Sequence, residues 1–220
     1  MIDIVREIEA TQREVGTGQV PAGEGRRVTL TRTYQAPIDD VWDALTNPDR
    51  IGRWFLPVSG DYRLGGTYQF EGNAGGRIVA CDRPSLLKVT WNFPPSDDPA
   101  AASEVELRLL RAGDAATTLT LEHTAVVPEE MWPVYGPGAV GVGWDGGMLG
   151  LALHLQGGAL ADPVAWMASD EGRAFYKQAS EAWGAANVAS GADPEVAAQG
   201  VANTLEFYAP SGNGAGPAEA

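Results

Sequence analysis

The sequence predicts an α+β fold in which a curved antiparallel sheet of about six to seven strands wraps around a long C-terminal helix. Three observations support this prediction. Short segments with apolar residues at alternate positions follow one another at regular spacing and are separated by turn residues. A helical stretch that is apolar nearly all round comes after them, at residues 143–155. Further helical segments then form a C-terminal appendage.

The N-terminal part divides into a helix, a loop and a strand. Residues 1–15 carry Ile4 and Ile8 among charged residues and predict a short amphipathic helix. Residues 16–25 contain glycines and a proline and predict a loop. In RRVTLTRTY, which begins at residue 26, apolar and threonine residues alternate as in a half-buried strand.

Two short helices should follow this strand. Pro37 is suited to the first turn of a helix, and Asp39 and Asp40 stabilise a helix N-terminus. Asn47-Pro48 should end this helix and begin the second, which reaches Trp54.

The middle of the chain predicts an antiparallel meander. Its turns contain Gly65-Gly66, residues 72–76, residues 82–85, the longer polar loop 94–102 and residues 112–114. A sheet of this kind buries one face, and the apolar helix is the element available to cover it. Three interior glycines each cost that helix about 1 kcal/mol, so they need a packing reason, namely close approach of the sheet or of a bound molecule.

The remaining segments lie outside this core. Residues 124–142 are long for a loop in a compact domain and predict a lid or another functional segment. We divide the chain into an N-terminal helix and loop (1–25), a main domain (26–160), a helical appendage (161–209) and a disordered tail (210–220). The alanine-rich appendage is too thin to hold a core of its own, so it should pack on the main domain or on a second subunit.

Composition excludes several classes of function. The net charge of −14 repels nucleic acid and anionic lipid surfaces, so neither is an expected partner. No apolar run reaches the roughly 18 residues of a membrane span, and the N-terminus lacks a signal-peptide core. A soluble cytoplasmic protein is therefore expected. The lone Cys81 and two histidines offer no ligand spacing, so we expect no metal and no cofactor.

Three stretches resemble the START-like (SRPBCC) superfamily, and within it the branch named for the activator of the Hsp90 ATPase. They are RTYQAPIDDVWDALTNPDRIGRWF, then LEHT, and finally GVGWDGGMLGLALHL. The resemblance covers residues 26–155. It implies the helix-grip fold, a curved antiparallel sheet around a long helix with an apolar cavity between them. It also implies binding of small apolar ligands; some relatives cyclise polyketides and a eukaryotic branch stimulates Hsp90.

His123 is the polar residue of greatest interest, because it is in phase with Leu119 and Leu121 and should point to the buried face. It could serve the cavity as a hydrogen-bond donor or general acid–base group. It could equally be a structural histidine that ties the lid loop to the sheet. Other candidates are weaker: Asp39, Asp40 and Asp43 lie on a polar helix face, and residues 72–76 lack the lysine of a phosphate loop.

A set of mostly aromatic residues is predicted either to line a ligand pocket or to form ordinary core. With His123 and the two lid residues, the predicted ligand-binding set is Trp54, Tyr68, Phe70, Trp91, His123, Trp132, Tyr135, Trp144 and Met148.

The sequence therefore predicts binding of a small hydrophobic or aromatic molecule between sheet and helix. One alternative is a cyclase- or hydrolase-type enzyme in which His123 acts with Tyr68 or Arg32. Another is a protein-interaction module of the Hsp90-regulator kind. The appendage could also form a homodimer contact.

Overall fold

The computed structural model describes residues 2–94 and 103–210. The predicted polar loop 94–102 and tail 210–220 lie outside the described residues, apart from their first residues. The strands are β1 (Thr11–Val20), β2 (Gly23–Tyr34), β3 (Val58–Gly60), β4 (Thr67–Phe70), β5 (Gly75–Asp82), β6 (Leu86–Trp91), β7 (Ser103–Arg111) and β8 (Thr117–Ala125). The helices are α1 (Ile4–Glu9), α2 (Ile38–Thr46), α3 (Pro48–Ile51), α4 (Trp132–Tyr135), α5 (Gly138–Leu155), α6 (Pro163–Ala168), α7 (Asp170–Ala189) and α8 (Pro194–Tyr208).

The described strands form one antiparallel sheet in the order β1-β2-β8-β7-β6-β5-β4-β3. The register places Leu121 opposite both Leu30 and Leu107, so alternate apolar residues of neighbouring strands share one face. Helix α5 covers that face, and Leu149 and Leu151 of α5 are fully buried with it. This is the helix-grip arrangement, and the predicted fold class is confirmed, with eight strands rather than six or seven.

The additional strand comes from a segment whose prediction was wrong. The N-terminal helix ends at Glu9 instead of continuing to residue 15, and β1 takes up the end of the expected helix and the first half of the expected loop. This strand pairs with β2 along its whole length. The glycines that suggested a loop serve the packing of the sheet instead. A Cβ at Gly18 would lie 3.0 Å from Thr124 Oγ1 of β8, so a small residue is needed where the curled sheet brings these strands together.

The glycines of α5 allow close approach, but chiefly of other elements than the sheet. A Cβ at Gly141 would lie 2.2 Å from the indole of Trp183 in α7. At Gly150 it would lie 2.5 Å from the main-chain oxygen of Trp54. The helix also begins at Gly138, five residues before the predicted start, so the end of the predicted lid segment is helical.

The appendage packs on the main body of the molecule. Each of its helices begins with a side-chain cap, because Asp162, Ser169 and Asp193 accept hydrogen bonds from main-chain N–H groups of the first turn. Phe175 and Trp183 of α7 are fully buried in the same hydrophobic cluster as α5. No helix within the described ranges has the length and apolar character needed to cross a membrane.

Candidate ligand-binding cavity

A cavity of about 360 Å³ lies between the sheet and α5. Short helices α2 and α3 contribute to one side of it. Its walls are almost entirely aromatic and aliphatic. The residues that line it are Trp42, Leu45, Thr46, Ile51, Trp54, Phe55, Val58, Tyr62, Tyr68, Phe70, Ile78, Cys81, Arg83, Leu87, Val89, Trp91, Val105, Leu107, Leu119, Leu121, Trp144, Gly147, Met148 and Leu151.

Aromatic rings from β4, β6, α5 and the segment after α3 meet on one side of the cavity. The ring centres of Trp91 and Trp144 are 4.9 Å apart, and those of Phe55 and Phe70 are 5.1 Å apart in an edge-on arrangement. Phe55 also stacks on Trp144 with 10° between the planes. These edge-on, tilted and stacked contacts form an aromatic wall on that side of the cavity.

Apart from Arg83, whose guanidinium lies at the opening, the described hydroxyl groups and two of the indole N–H groups of the lining are already hydrogen-bonded within the protein. The hydroxyl groups of Thr46, Tyr62 and Tyr68 and the indole N–H of Trp54 donate to main-chain oxygens at 2.6 to 3.1 Å. Burial raises the pKa of Tyr68 well above its usual value, so this phenol stays neutral. The inner wall therefore presents a ligand with apolar surface and few free donors or acceptors.

His123 lies behind the aromatic wall rather than in the cavity lining. It is 7 % exposed, as the period of β8 predicts. Its Nδ1 accepts a hydrogen bond of 3.1 Å from Trp144 Nε1, so in the neutral ring Nε2 carries the proton and donates to Ser103 Oγ at 3.0 Å. The Ser103 hydroxyl in turn donates to the main-chain oxygen of Trp91.

Burial also determines the charge of His123. Desolvation lowers the pKa of its imidazole to about 4, so the ring is neutral at pH 7. With both nitrogens engaged, no atom of the ring is free to exchange a proton with a ligand. His123 connects α5 to β7 through Trp144 and Ser103. This differs from the predicted structural role, a connection between the lid loop and the sheet.

The two predicted lid residues do not line the cavity. Trp132 lies under the guanidinium of Arg26, whose carbon is 5.0 Å from the ring centre. Tyr135 packs edge-on against Phe207 of α8, with 6.4 Å between ring centres. The segment before α5 is held against β2 and the appendage, which is why the expectation of a lid over the cavity is not met.

The structure thus brings together six of the nine predicted ligand-binding residues, namely Trp54, Tyr68, Phe70, Trp91, Trp144 and Met148. Sequence reasoning missed the remaining lining residues, among them Phe55, Leu151, Cys81 and Arg83. Leu151 could have been found, because it shares a helical face with Trp144 and Met148. No periodic signal singles out the other three.

Another face of α5, directed towards β1 and α7, contains a buried ion pair. The Asp145 carboxylate accepts hydrogen bonds from Arg13 Nε at 3.1 Å and Nη2 at 2.7 Å, and from Trp183 Nε1 at 2.9 Å. Burial raises the pKa of Asp145, and the Arg13 guanidinium opposes that shift. We call these three residues the Asp145 anchor; it joins β1, α5 and α7.

Metal chemistry has no support among the side chains that are described. Residues 2–94 and 103–210 contain no group of three or more histidine, cysteine, aspartate or glutamate side chains that could hold an ion.

Comparison with known proteins finds a family and solved structures with the same architecture. A family model described as Activator of Hsp90 ATPase homolog 1-like protein matches residues 35–153, somewhat more than half of the chain. The crystal structure of CalU16 from Micromonospora echinospora is 37% identical with a TM-score of 0.63, covering 80% of this chain and 98% of CalU16.

The solution structure of CalU16 gives 39% identity and a TM-score of 0.68, covering 83% of this chain and 97% of CalU16. Protein MLL2253 from Mesorhizobium loti is 22% identical with a TM-score of 0.50, covering 61% of this chain and 100% of that protein. At that identity the likeness shows the fold alone. The sequence matches no curated protein significantly.

Proposed function

The chain belongs to the family of Activator of Hsp90 ATPase homolog 1-like proteins, and on that premise we propose that it binds a small hydrophobic or aromatic molecule between the sheet and α5. The observation that carries this proposal is the cavity of about 360 Å³. Small-molecule sites usually enclose about 300–1,000 Å³ and are lined by apolar side chains with few polar groups. The volume lies at the lower end of that range, so the expected ligand is small.

Binding has more support than catalysis. A cyclase or hydrolase would need His123 and a second polar group facing the substrate. His123 lies behind the cavity wall with both nitrogens hydrogen-bonded. The Tyr68 hydroxyl is held by the main-chain oxygen of Thr90 at 2.6 Å. Arg32 is paired with Glu7 at 2.5 Å and does not line the cavity.

The predicted oligomeric state, location and protein-interaction role do not depend on the cavity. A homodimer through α6–α8 and a cytoplasmic location both stay predictions, and the interaction role of an Hsp90 regulator is supported by the family description alone. The mass of the protein in solution by light scattering measures the oligomeric state directly.

Native mass spectrometry of freshly purified protein is the first test of the proposed function. We expect an additional mass that disappears when the protein is denatured. If the purified protein carries no additional mass, we measure binding of the neutral fluorophore N-phenyl-1-naphthylamine instead. Cys81, the single cysteine, is exposed and lines the cavity. Its alkylation by a maleimide should therefore slow when the fluorophore is bound.

A pair of glycine substitutions in α5 separates binding from stability. Gly147 lines the cavity, and a Cβ there would make only ordinary contacts, 3.9 Å from Phe55 and Trp144. The outer atoms of leucine in Gly147→Leu should fill the cavity and abolish binding, while helix propensity keeps stability at or above that of the parent. Gly146→Leu is the matched control, because Gly146 does not line the cavity and a Cβ there would meet nothing within 4 Å. Equal binding by both variants would contradict a ligand site in this cavity.

A further inference from the structure

Among residues 2–94 and 103–210, Arg83 is the only charged side chain that lines the cavity. It follows β5 directly and is exposed, so it lies where the cavity meets solvent. Among the described residues it makes no hydrogen bond and no ion pair. A guanidinium that is always charged and has five donors is thus available at the opening of an otherwise apolar site.

The polar groups deeper in the cavity offer a ligand little. The hydroxyl groups of Tyr68 and Thr46 and the indole N–H of Trp54 donate to main-chain oxygens. The indole N–H of Trp144 donates to His123. A ligand that carries a polar group would lose hydrogen bonds to water if that group entered this region. Its polar end should therefore remain at the opening, beside Arg83.

The acidic residues near this opening have a partner of their own. Arg50 holds the Asp40 carboxylate at 2.7 Å and that of Asp43 at 3.0 Å. The charge of Arg83 reaches Asp43, but as the weakest of the influences on that carboxyl. Arg83 is therefore not neutralised by direct contact. On a surface with a net charge of −14, an unpaired cation is the feature that would let an anionic group approach.

We propose that the ligand is an amphipathic carboxylic acid, with its apolar body between the sheet and α5 and its carboxylate at the guanidinium of Arg83. This inference rests on the proposed function, since it assigns the ligand class of the same cavity. Arginine suits this role because its planar fork of N–H groups matches the two oxygens of a carboxylate.

The test compares two ligands of the same shape. Naphthalene-2-carboxylate and naphthalene-2-carboxamide compete against N-phenyl-1-naphthylamine at low salt, with each affinity measured for the parent protein, Arg83→Gln and Arg53→Gln. Arg53 is the matched control, because it is exposed, loses the same charge and does not line the cavity.

We expect the parent to prefer the carboxylate, and Arg83→Gln to lose about three- to tenfold of that preference, as for a partly exposed charge-assisted contact. Arg53→Gln should keep it, and the carboxamide should bind all three proteins alike. Added salt should reduce the preference of the parent, because it screens charges near the surface.

Two results would overturn this inference while leaving the proposed function intact. One is a parent protein that binds both naphthalene compounds without preference. The other is an Arg83→Gln variant that retains the preference of the parent. If the purified protein carries no ligand by native mass spectrometry, failure of N-phenyl-1-naphthylamine itself to bind would instead overturn the proposed function.

Discussion

Two faces of α5 are packed differently: the face towards the appendage is tightly packed, and the face towards the sheet borders a cavity. Towards the appendage, Gly141 lets the indole of Trp183 approach so closely that a Cβ would lie 2.2 Å from it, and no space remains. Towards the sheet, Trp144 and Met148 face a curved surface of rings and leave a cavity of about 360 Å³.

Polar groups follow the same division. The appendage side buries an ion pair, with side chains of Arg13 and Asp145 that are 6% and 2% exposed. The cavity side buries neutral groups that are satisfied by one another, such as His123 with Trp144 and Ser103. From this difference we expect the appendage side of the helix to determine stability and the cavity side to determine the proposed binding. Stability and binding should therefore respond to different substitutions.

The largest effect is expected on the appendage side, from Asp145→Ala. It leaves the buried guanidinium of Arg13 unpaired and removes the acceptor of Trp183 Nε1, which should lower the free energy of unfolding by about 3–5 kcal/mol. Urea titration followed by circular dichroism measures this loss. The affinity of the remaining folded protein for N-phenyl-1-naphthylamine should be unchanged.

A double variant shows whether the loss comes from the unpaired charge. Arg13→Met combined with Asp145→Ala removes that charge and should recover part of the stability. A double variant less stable than Asp145→Ala would contradict the interpretation of the Asp145 anchor as an ion pair.

On the cavity side, the buried neutral His123 should make stability depend on pH. Burial lowers the pKa of His123 from the ordinary 6.5 to about 4. Between these values the unfolded chain binds a proton that the folded protein does not, so acid favours unfolding. The contribution of His123 is complete above about pH 6.5 and is lost as the pH falls towards 4, a total of about 3 kcal/mol.

The measurement is the free energy of unfolding at pH 7 and pH 5. His123→Asn should reduce the difference between the two values by about 2 kcal/mol relative to the parent. His154→Gln serves as the comparison: burial and the charge of Arg50 lower the pKa of this half-buried histidine as well, so its loss should reduce the difference, but by less than the loss of His123. The same pH dependence in His123→Asn and the parent would show that this imidazole is not a buried neutral group.

The smallest expected effect on the free energy of unfolding comes from the same substitution, glycine to alanine, made at two positions of α5. Gly146→Ala should raise the free energy of unfolding by up to about 1 kcal/mol, because its Cβ meets nothing within 4 Å and alanine favours a helix. Gly141→Ala should lower it by about 1–3 kcal/mol, because the added carbon overlaps the indole of Trp183. Thermal melts show whether each variant is more or less stable than the parent. A gain of stability at both positions would mean that the appendage side is less tightly packed than the structure shows.

The sequence was sufficient for the features that depend on local period. The alternation in β8 correctly predicted that His123 is buried. The helical period of α5 places Trp144 and Met148 on one face, and both line the cavity. It was insufficient where a residue's role depends on a distant partner. Asp145 reads only as a polar residue in an apolar helix, because Arg13 lies 132 positions away and Trp183 lies 38 positions away.

The missed strand and the misplaced lid have the same cause. β1 contains glycines that suggest a loop, and only the close approach of β8 to Gly18 explains them. Trp132 and Tyr135 are large aromatic residues in a long connecting segment, which suggested a lid. Whether such residues cover a cavity depends on what else they can pack against. In this protein they pack against Arg26 and Phe207.

The pairing of β2 with β8 has a consequence for synthesis of the protein on the ribosome. Leu30 is joined to Leu121, so β2 has only β1 as a neighbour until some ninety further residues have been made. The Asp145 anchor closes later still, since Trp183 follows it in the chain. Contacts of such large sequence separation form slowly. The nascent chain therefore exposes the apolar face of its first hairpin throughout most of translation, and this is the interval in which a chaperone would bind it.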